Sequence, residues 1–466
     1  MIGVFKYGLV LAAVALGLYA MLVVGMRLRG PTAEQAVALK VLNEPVAPVR
    51  GRDGSDAVWL LPFDTPEHER TEAARRLRDY LARSSVLAGT GRQEEADRLA
   101  DPSRDFATFA PIDSKTPGLC PEFGADCLRL VREQRQVVDQ VLTEHAAGLR
   151  AARRLADYDG LRWGLEPSLH AAMPQFAPQR LLVRTHYARM FDLGGQEAAI
   201  AGVCRDLWAW RRLGSDNDMV LASVVASSYA RSDLRLLSEM LAEWPADAGL
   251  PPDCAGALAP VQARELDLCP GIRTHYAAMA REFRFQPPPA GEDGLVHRWM
   301  DREHAAAALA PSFAHYCGAD VLRLQQQDRS ATQLGPPPAI CGSLERVADP
   351  FGCALAGLGV DERLSRYVDR RTDSAAAIAL MRTVVWLRAQ SPDPSSWSAL
   401  LPKRPASLGL KREPKISADG ARISIALLDR SRDAEFSLVL RPAPQAMNEG
   451  AGSPSAGDGG SSARNR

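Results

Sequence analysis

Histidines and cysteines are the residues of this chain whose types and spacing could support chemistry. His186 and His275 each sit in the same five residues, Arg-Thr-His-Tyr-Ala, at 184–188 and 273–277. Two histidines in equivalent helical segments could line one groove and act as general acid or base, or pack as neutral rings with one nitrogen hydrogen-bonded. His297 and His304 stand seven apart. That is two helical turns, about 10 Å, so they share a face but cannot share a metal. Glu303 is the acid nearest to them in sequence. The catalytic candidates are therefore His186, His275, His297, Glu303 and His304. The rival expectation is ordinary helix-surface histidine.

The eight cysteines form an even set. Disulfides, buried free thiols and a metal site are all open to them, and disulfides fit best. Cys120 and Cys127 flank Pro121 and Gly124, a turn that brings the ends of CPEFGADC together. Cys341 and Cys353 flank Asp349, Pro350 and Gly352 in the same manner. Cys254 and Cys269 are a third local pair, and Cys204 and Cys317 are left to pair or stay free. The close C-x₂₋₄-C spacing of zinc sites is absent, so no metal is expected. No G-x-S-x-G turn, Walker loop or dinucleotide fingerprint occurs, so no cofactor is implied. Asp216-Asn217-Asp218 lacks the glycine and closing glutamate of a calcium loop and reads as a helix start.

The elements that position these residues begin with residues 8–26, GLVLAAVALGLYAMLVVGM. This uncharged run is about 28 Å long as a helix, close to the roughly 30 Å of a bilayer core. It continues past the length of a signal-peptide h-region, and its one Ala-x-Ala lies inside the run, so an uncleaved signal anchor is expected. Tyr7 suits the interface. Lys6 on one flank against Arg27, Arg29 and Lys40 on the other slightly favours a cytoplasmic body. Disulfides favour the oxidising side, and the expectation is a single-pass bacterial inner-membrane protein with its body in the periplasm.

Lys plus Arg and Asp plus Glu both total 56, so no charge excess marks a nucleic-acid binder. Alanine and leucine dominate the apolar residues and aromatics are few, which favours helix. The expected organisation is a transmembrane anchor (1–29), a juxtamembrane linker with short helices (30–119), an α-helical body (120–400), a small antiparallel β meander (401–442) and a disordered tail (443–466). Within the body, helices at 178–192 and 195–213 meet at Gly194-Gly195. A third should run to Ala230, a fourth should be capped by Ser232, and Thr372 or Asp373 should cap another reaching Gln390. Short connections make such helices antiparallel, in the manner of stacked helical hairpins. Trp208, Trp210, Trp244, Trp386 and Trp397 read as packing residues. The fold class is mainly α, with repeat-like hairpins and a terminal meander.

The segment WRRLGSDNDMVLASVVASSYARSDLRLLSEMLAEWP (210–245) resembles a recurring stretch of uncharacterised, membrane-anchored proteobacterial proteins, loosely extending to the Cys120–Cys127 region. The resemblance covers about a third of the chain. It implies an anchor and a helical body but no activity. The functional expectation is an envelope scaffold that binds another protein. The alternative is an envelope hydrolase with histidines and carboxylates gathered from distant segments.

Overall fold

A computed structural model describes residues 2–113, 115–121, 124, 126–174, 177–285, 301–358, 363–431 and 433–441. The tail at 443–466 and His297 lie outside the described residues. The chain is mainly α, with a small C-terminal antiparallel sheet.

Three long helices run in succession through the largest core: Ala177–Asp192, Gln196–Ser215 and Val220–Glu243. The link between the first two is the Leu193-Gly194-Gly195 turn, where Gly194 takes φ 92°. Leu207, Leu234 and Leu237 are fully buried between these helices and the helix Arg363–Gln390. A second core gathers Ile272 and Tyr276 of Cys269–Phe285, Leu309 and Phe313 of Arg302–Ala314, and Ala38 and Leu42 of Ala33–Leu42. Thr32 caps that last helix in a capping box with Gln35.

Two expected helix starts are not starts. The helix expected at Ser232 is part of one 24-residue helix, Val220–Glu243. The Ser232 hydroxyl donates to the Ser228 carbonyl at 3.1 Å, turning a cap-forming side chain back onto its own helix. Thr372 likewise donates to Val368 O at 3.0 Å inside the 28-residue helix Arg363–Gln390. Asp373, fully buried, instead accepts the N–H groups of Leu428 and Asp429 at 2.9 and 3.1 Å and pairs with Arg412.

Those contacts fasten the sheet to the body. Strands β1 (Lys415–Ile416), β2 (Arg422–Ala426) and β3 (Glu435–Val439) form an antiparallel meander in sequence order. Ile423 pairs with Leu438 and Ile425 with Phe436. All four side chains point to one face and are buried in the main core, as the period-two alternation requires.

The helix Ile2–Arg29 is 28 residues long, and its Val10, Leu11, Val14, Leu16, Leu18 and Met21 side chains are exposed. Among the described residues no helix is long and apolar enough to cross a membrane.

All eight cysteines are joined: Cys120–Cys127, Cys204–Cys254, Cys269–Cys317 and Cys341–Cys353. The expected Cys254–Cys269 pair is a misreading. Cys254 bonds across 50 residues to the middle of Gln196–Ser215, and Cys269 across 48 residues to Cys317. The short helices Asp253–Ala257 and Ala263–Leu266 between them hold Cys254 and Cys269 to different neighbours. Four disulfides point to an oxidising compartment.

Candidate functional site: an arginine-lined groove

The helix Ala146–Arg153 ends in LRAAR and passes straight into the 3₁₀ turn Arg154–Asp157. Positive side chains suit a helix C-terminus, where backbone carbonyls carry partial negative charge. Arg150, Arg153 and Arg154 are exposed there. Across from them, Arg205, Trp208 and Arg212 lie at i, i+3 and i+7 of Gln196–Ser215, on one face of that helix. The two sets meet around an open cavity of about 720 Å³ that Tyr187, Asp157 and Asp253 also line.

The aromatic rings hold the cations in place. The Arg153 guanidinium lies 5.7 Å from the Tyr187 ring centre, and Arg212 lies 5.7 Å from that of Trp208. Arg212 pairs with Asp159 at 2.6 Å, Arg205 with Asp253 at 3.5 Å and Arg154 with Glu67 at 3.6 Å. Arg150 and Arg153 have no carboxylate within salt-bridge distance among the described residues. Five arginines stand against Asp157, Asp253, Asp159 and Glu67, so the groove keeps a small positive excess in a chain whose net charge is zero.

Beneath the groove the helices are fixed by buried ions. Arg180 pairs with both Asp206 and Asp233, all three nearly inaccessible, and lies 5.5 Å from the Tyr229 ring centre. Arg211 makes a two-pronged contact with Glu265 at 2.9 Å and donates to the carbonyls of Ala257 and Ala259. With the Cys204–Cys254 bond, this locks the floor of the groove to Asp253–Ala257. Glu239 accepts the N–H groups of Asp126 and Leu128, each at 2.9 Å, and so caps Cys127–Glu133 from another helix. Burial pushes the Glu239 carboxyl up against the pull of those donors.

The sequence-predicted residues are dispersed. His186, beside the main core, is held neutral: burial and the nearby Arg153 lower its pKa to about 4. Its Nε2 is buried with no hydrogen-bond partner among the described residues. His275 belongs with the second core, its ring centre 5.5 Å from that of Phe313. It lines a separate cleft of about 240 Å³ with Asp218, Met219 and Tyr367, and His186 is not part of that cleft. Asp218 accepts the Trp163 N–H at 2.9 Å, and burial pushes its carboxyl up. The two Arg-Thr-His-Tyr-Ala segments therefore do not build one site. Glu303 does not serve His304; it is exposed and pairs with Arg284 at 2.9 Å. His304 has Asp349 near it instead, along with Cys341 and Cys353.

The helix-start reading of Asp216-Asn217-Asp218 needs refinement. Asn217 is buried, donates to the Leu213 and Gly214 carbonyls and accepts the Met219 N–H at 2.9 Å. One amide thereby closes the helix before it and leads into the helix after it. Asp216 pairs with Arg162.

The groove arginines escaped the sequence reading because overall charge balance hides a local cluster. Arg150, Arg153 and Arg154 together with the i, i+3, i+7 set were a visible signal. What joins them is tertiary. Comparison with known protein families, curated proteins and solved structures finds no match for this chain.

Proposed function

We propose that this protein is an envelope interaction component. Residues 8–26 tether it to a bacterial inner membrane, its disulfide-bonded body lies in the periplasm, and the arginine-lined groove docks an acidic segment of a partner protein. The observation that carries this reading is the meeting of five arginines, Arg150, Arg153, Arg154, Arg205 and Arg212, around one open cavity of about 720 Å³. Arginine is suited to bidentate recognition of carboxylates, and its planar group is positioned by the adjoining rings. The volume exceeds what a single small anion fills, and Asp157 and Asp253 within the lining suit a polypeptide of mixed polar character rather than a uniformly charged polymer. The exposed apolar side chains of Ile2–Arg29 support the tether. The resemblance of 210–245 to membrane-anchored proteobacterial proteins of unknown activity agrees with the same placement.

The test is site-specific photo-crosslinking in cells, with the reactive residue replacing Ala156 of the full chain. The expected adduct is a protein whose captured peptide is rich in Asp and Glu. The double charge reversal R150E/R153E lowers its yield about tenfold or more. An adduct with nucleic acid, or one indifferent to the reversal, contradicts the proposal. A second reading, a hydrolase, has one observation in its favour: His275 and Asp218 line the same cleft. Under the docking proposal H275A leaves the crosslink unchanged.

A further inference from the structure

The first turn of Arg302–Ala314 places His304 against the segment that carries the Cys341–Cys353 disulfide. One His304 ring nitrogen and the two sulfurs all lie within 4.8 Å of one another. Nε2 of His304 is buried with no hydrogen-bond partner among the described residues. Asp349 sits between the helices Ser343–Ala348 and Pro350–Leu358 and is 8% exposed. Its Oδ1 accepts the Gly352 N–H at 2.9 Å, while Oδ2 is buried and also without a partner among the described residues. That carboxylate folds over Gly352, where an added Cβ would collide with it, and lies outside the group formed by His304 and the two sulfurs. Two orphaned buried polar atoms, one on His304 and one on Asp349, are costly in a protein interior unless a further group satisfies them.

We propose that reduction of the Cys341–Cys353 disulfide turns this cluster into a binding site for a zinc-class divalent cation, held by the two thiolates, His304 and Asp349. The spacing fits. Sulfur and nitrogen donors about 2.0–2.3 Å from a tetrahedral metal stand a little under 4 Å apart; the bonded sulfurs part to that distance on reduction, and the His304 nitrogen, already within 4.8 Å of both, needs little movement. Two thiolates neutralise the cation, a ring nitrogen of His304 supplies a neutral donor, and the Asp349 carboxylate, outside the group of three, must swing in to supply the fourth. The sequence pattern conceals the set, because its members come from two helices and a loop.

The reductant is a dithiol. Its thiolate attacks Cys353 Sγ, since Cys353 is the less buried residue of the pair and Cys341 is only 3% exposed. The Cys341–Cys353 bond breaks and Cys341 leaves as a thiolate. The second thiol of the reductant then attacks the mixed disulfide, freeing the Cys353 thiolate and leaving the reductant as its own disulfide. Two electrons pass to the protein, the two protons of the dithiol go to solvent, and both thiolates close on the metal.

The experiment uses the full chain in detergent, oxidised or reduced, with the reductant removed without air and Co²⁺ added as the probe. Reduced wild-type protein is expected to take one equivalent more than a reduced C341S/C353S variant. Near-ultraviolet thiolate-to-cobalt absorption and the visible bands of a tetrahedral ion should accompany it. Oxidised protein should show neither. H304A, with all thiols intact, should bind at least about tenfold more weakly, and D349N provides the same comparison should H304A fail to fold. Reduced wild-type protein that takes up no more cobalt than C341S/C353S overturns the proposal, whether its ligands stay apart or its helices melt. So does a folded H304A or D349N that binds as tightly as wild type.

Discussion

Arg180 shows what single residues do in this molecule. Its guanidinium is buried between Asp206 and Asp233, so the three charges are tolerable only together. Replacing Arg180 with methionine keeps the volume but leaves two carboxylates without their cation. The expected loss is about 3–5 kcal/mol of unfolding free energy, read from urea titration. The triple variant R180M/D206N/D233N should recover part of it, because the stranded charge is then gone. His186 makes a pH prediction. Its folded pKa, about 4, lies below the ordinary histidine value, so the unfolded chain binds the proton more readily. Stability supplied by neutral His186 is therefore full above pH 6.5 or so and is lost as pH falls toward 4. An H186Q variant should show a shallower loss across that window in unfolding experiments at stepped pH. Equal slopes for the two proteins would contradict this. Residue roles were the least legible part of the sequence. Ser232, Thr372 and Asp373 carry the chemistry of helix caps, yet the first two bond back to their own helices and the third serves a sheet 55 residues away. Local chemistry states what a side chain can bond to; packing decides which partner arrives.

At the scale of elements, the apolar periodicity was readable where one face of a helix is buried. Ala177–Asp192 and Gln196–Ser215 fall on either side of the Gly194-Gly195 junction, and the Asp419-Gly420 turn leads into β2 as its residue types require. The long-range disulfides were not readable. Cys204–Cys254 and Cys269–Cys317 depend on which helices lie side by side, and no local turn announces it. The clamps make element-scale predictions. Removing the first with C204A/C254A should cost about 2–4 kcal/mol, seen as a lowered urea midpoint with helical signal retained in water. Asp373 ties β2 and its following loop to the long helix Arg363–Gln390. D373A should speed hydrogen exchange in 411–440 while leaving 220–243 protected. Uniform acceleration along the chain would show that the sheet is not a separable unit.

At the scale of the whole molecule, the separation of roles is spatial. One side of the main core carries the cationic groove, and the second core holds the His304–Cys341–Cys353 cluster. The groove was illegible in composition because 56 basic and 56 acidic residues cancel in the sum and not in space. Docking driven by these arginines should weaken with salt, so the crosslink at residue 156 should fade between about 50 and 500 mM salt in membranes stripped from cells. The anchor and the oxidised body are one claim about where the protein lives, and thiol labelling in intact spheroplasts tests it most directly. A membrane-impermeant maleimide should label no cysteine at first. After a membrane-impermeant phosphine reductant it should label Cys353 and Cys317, the half-buried members of their pairs. Cysteines that react without reductant would show that the pairs are not oxidised, and cysteines that can be reduced and labelled only after lysis would place the body on the other side; either result contradicts the account.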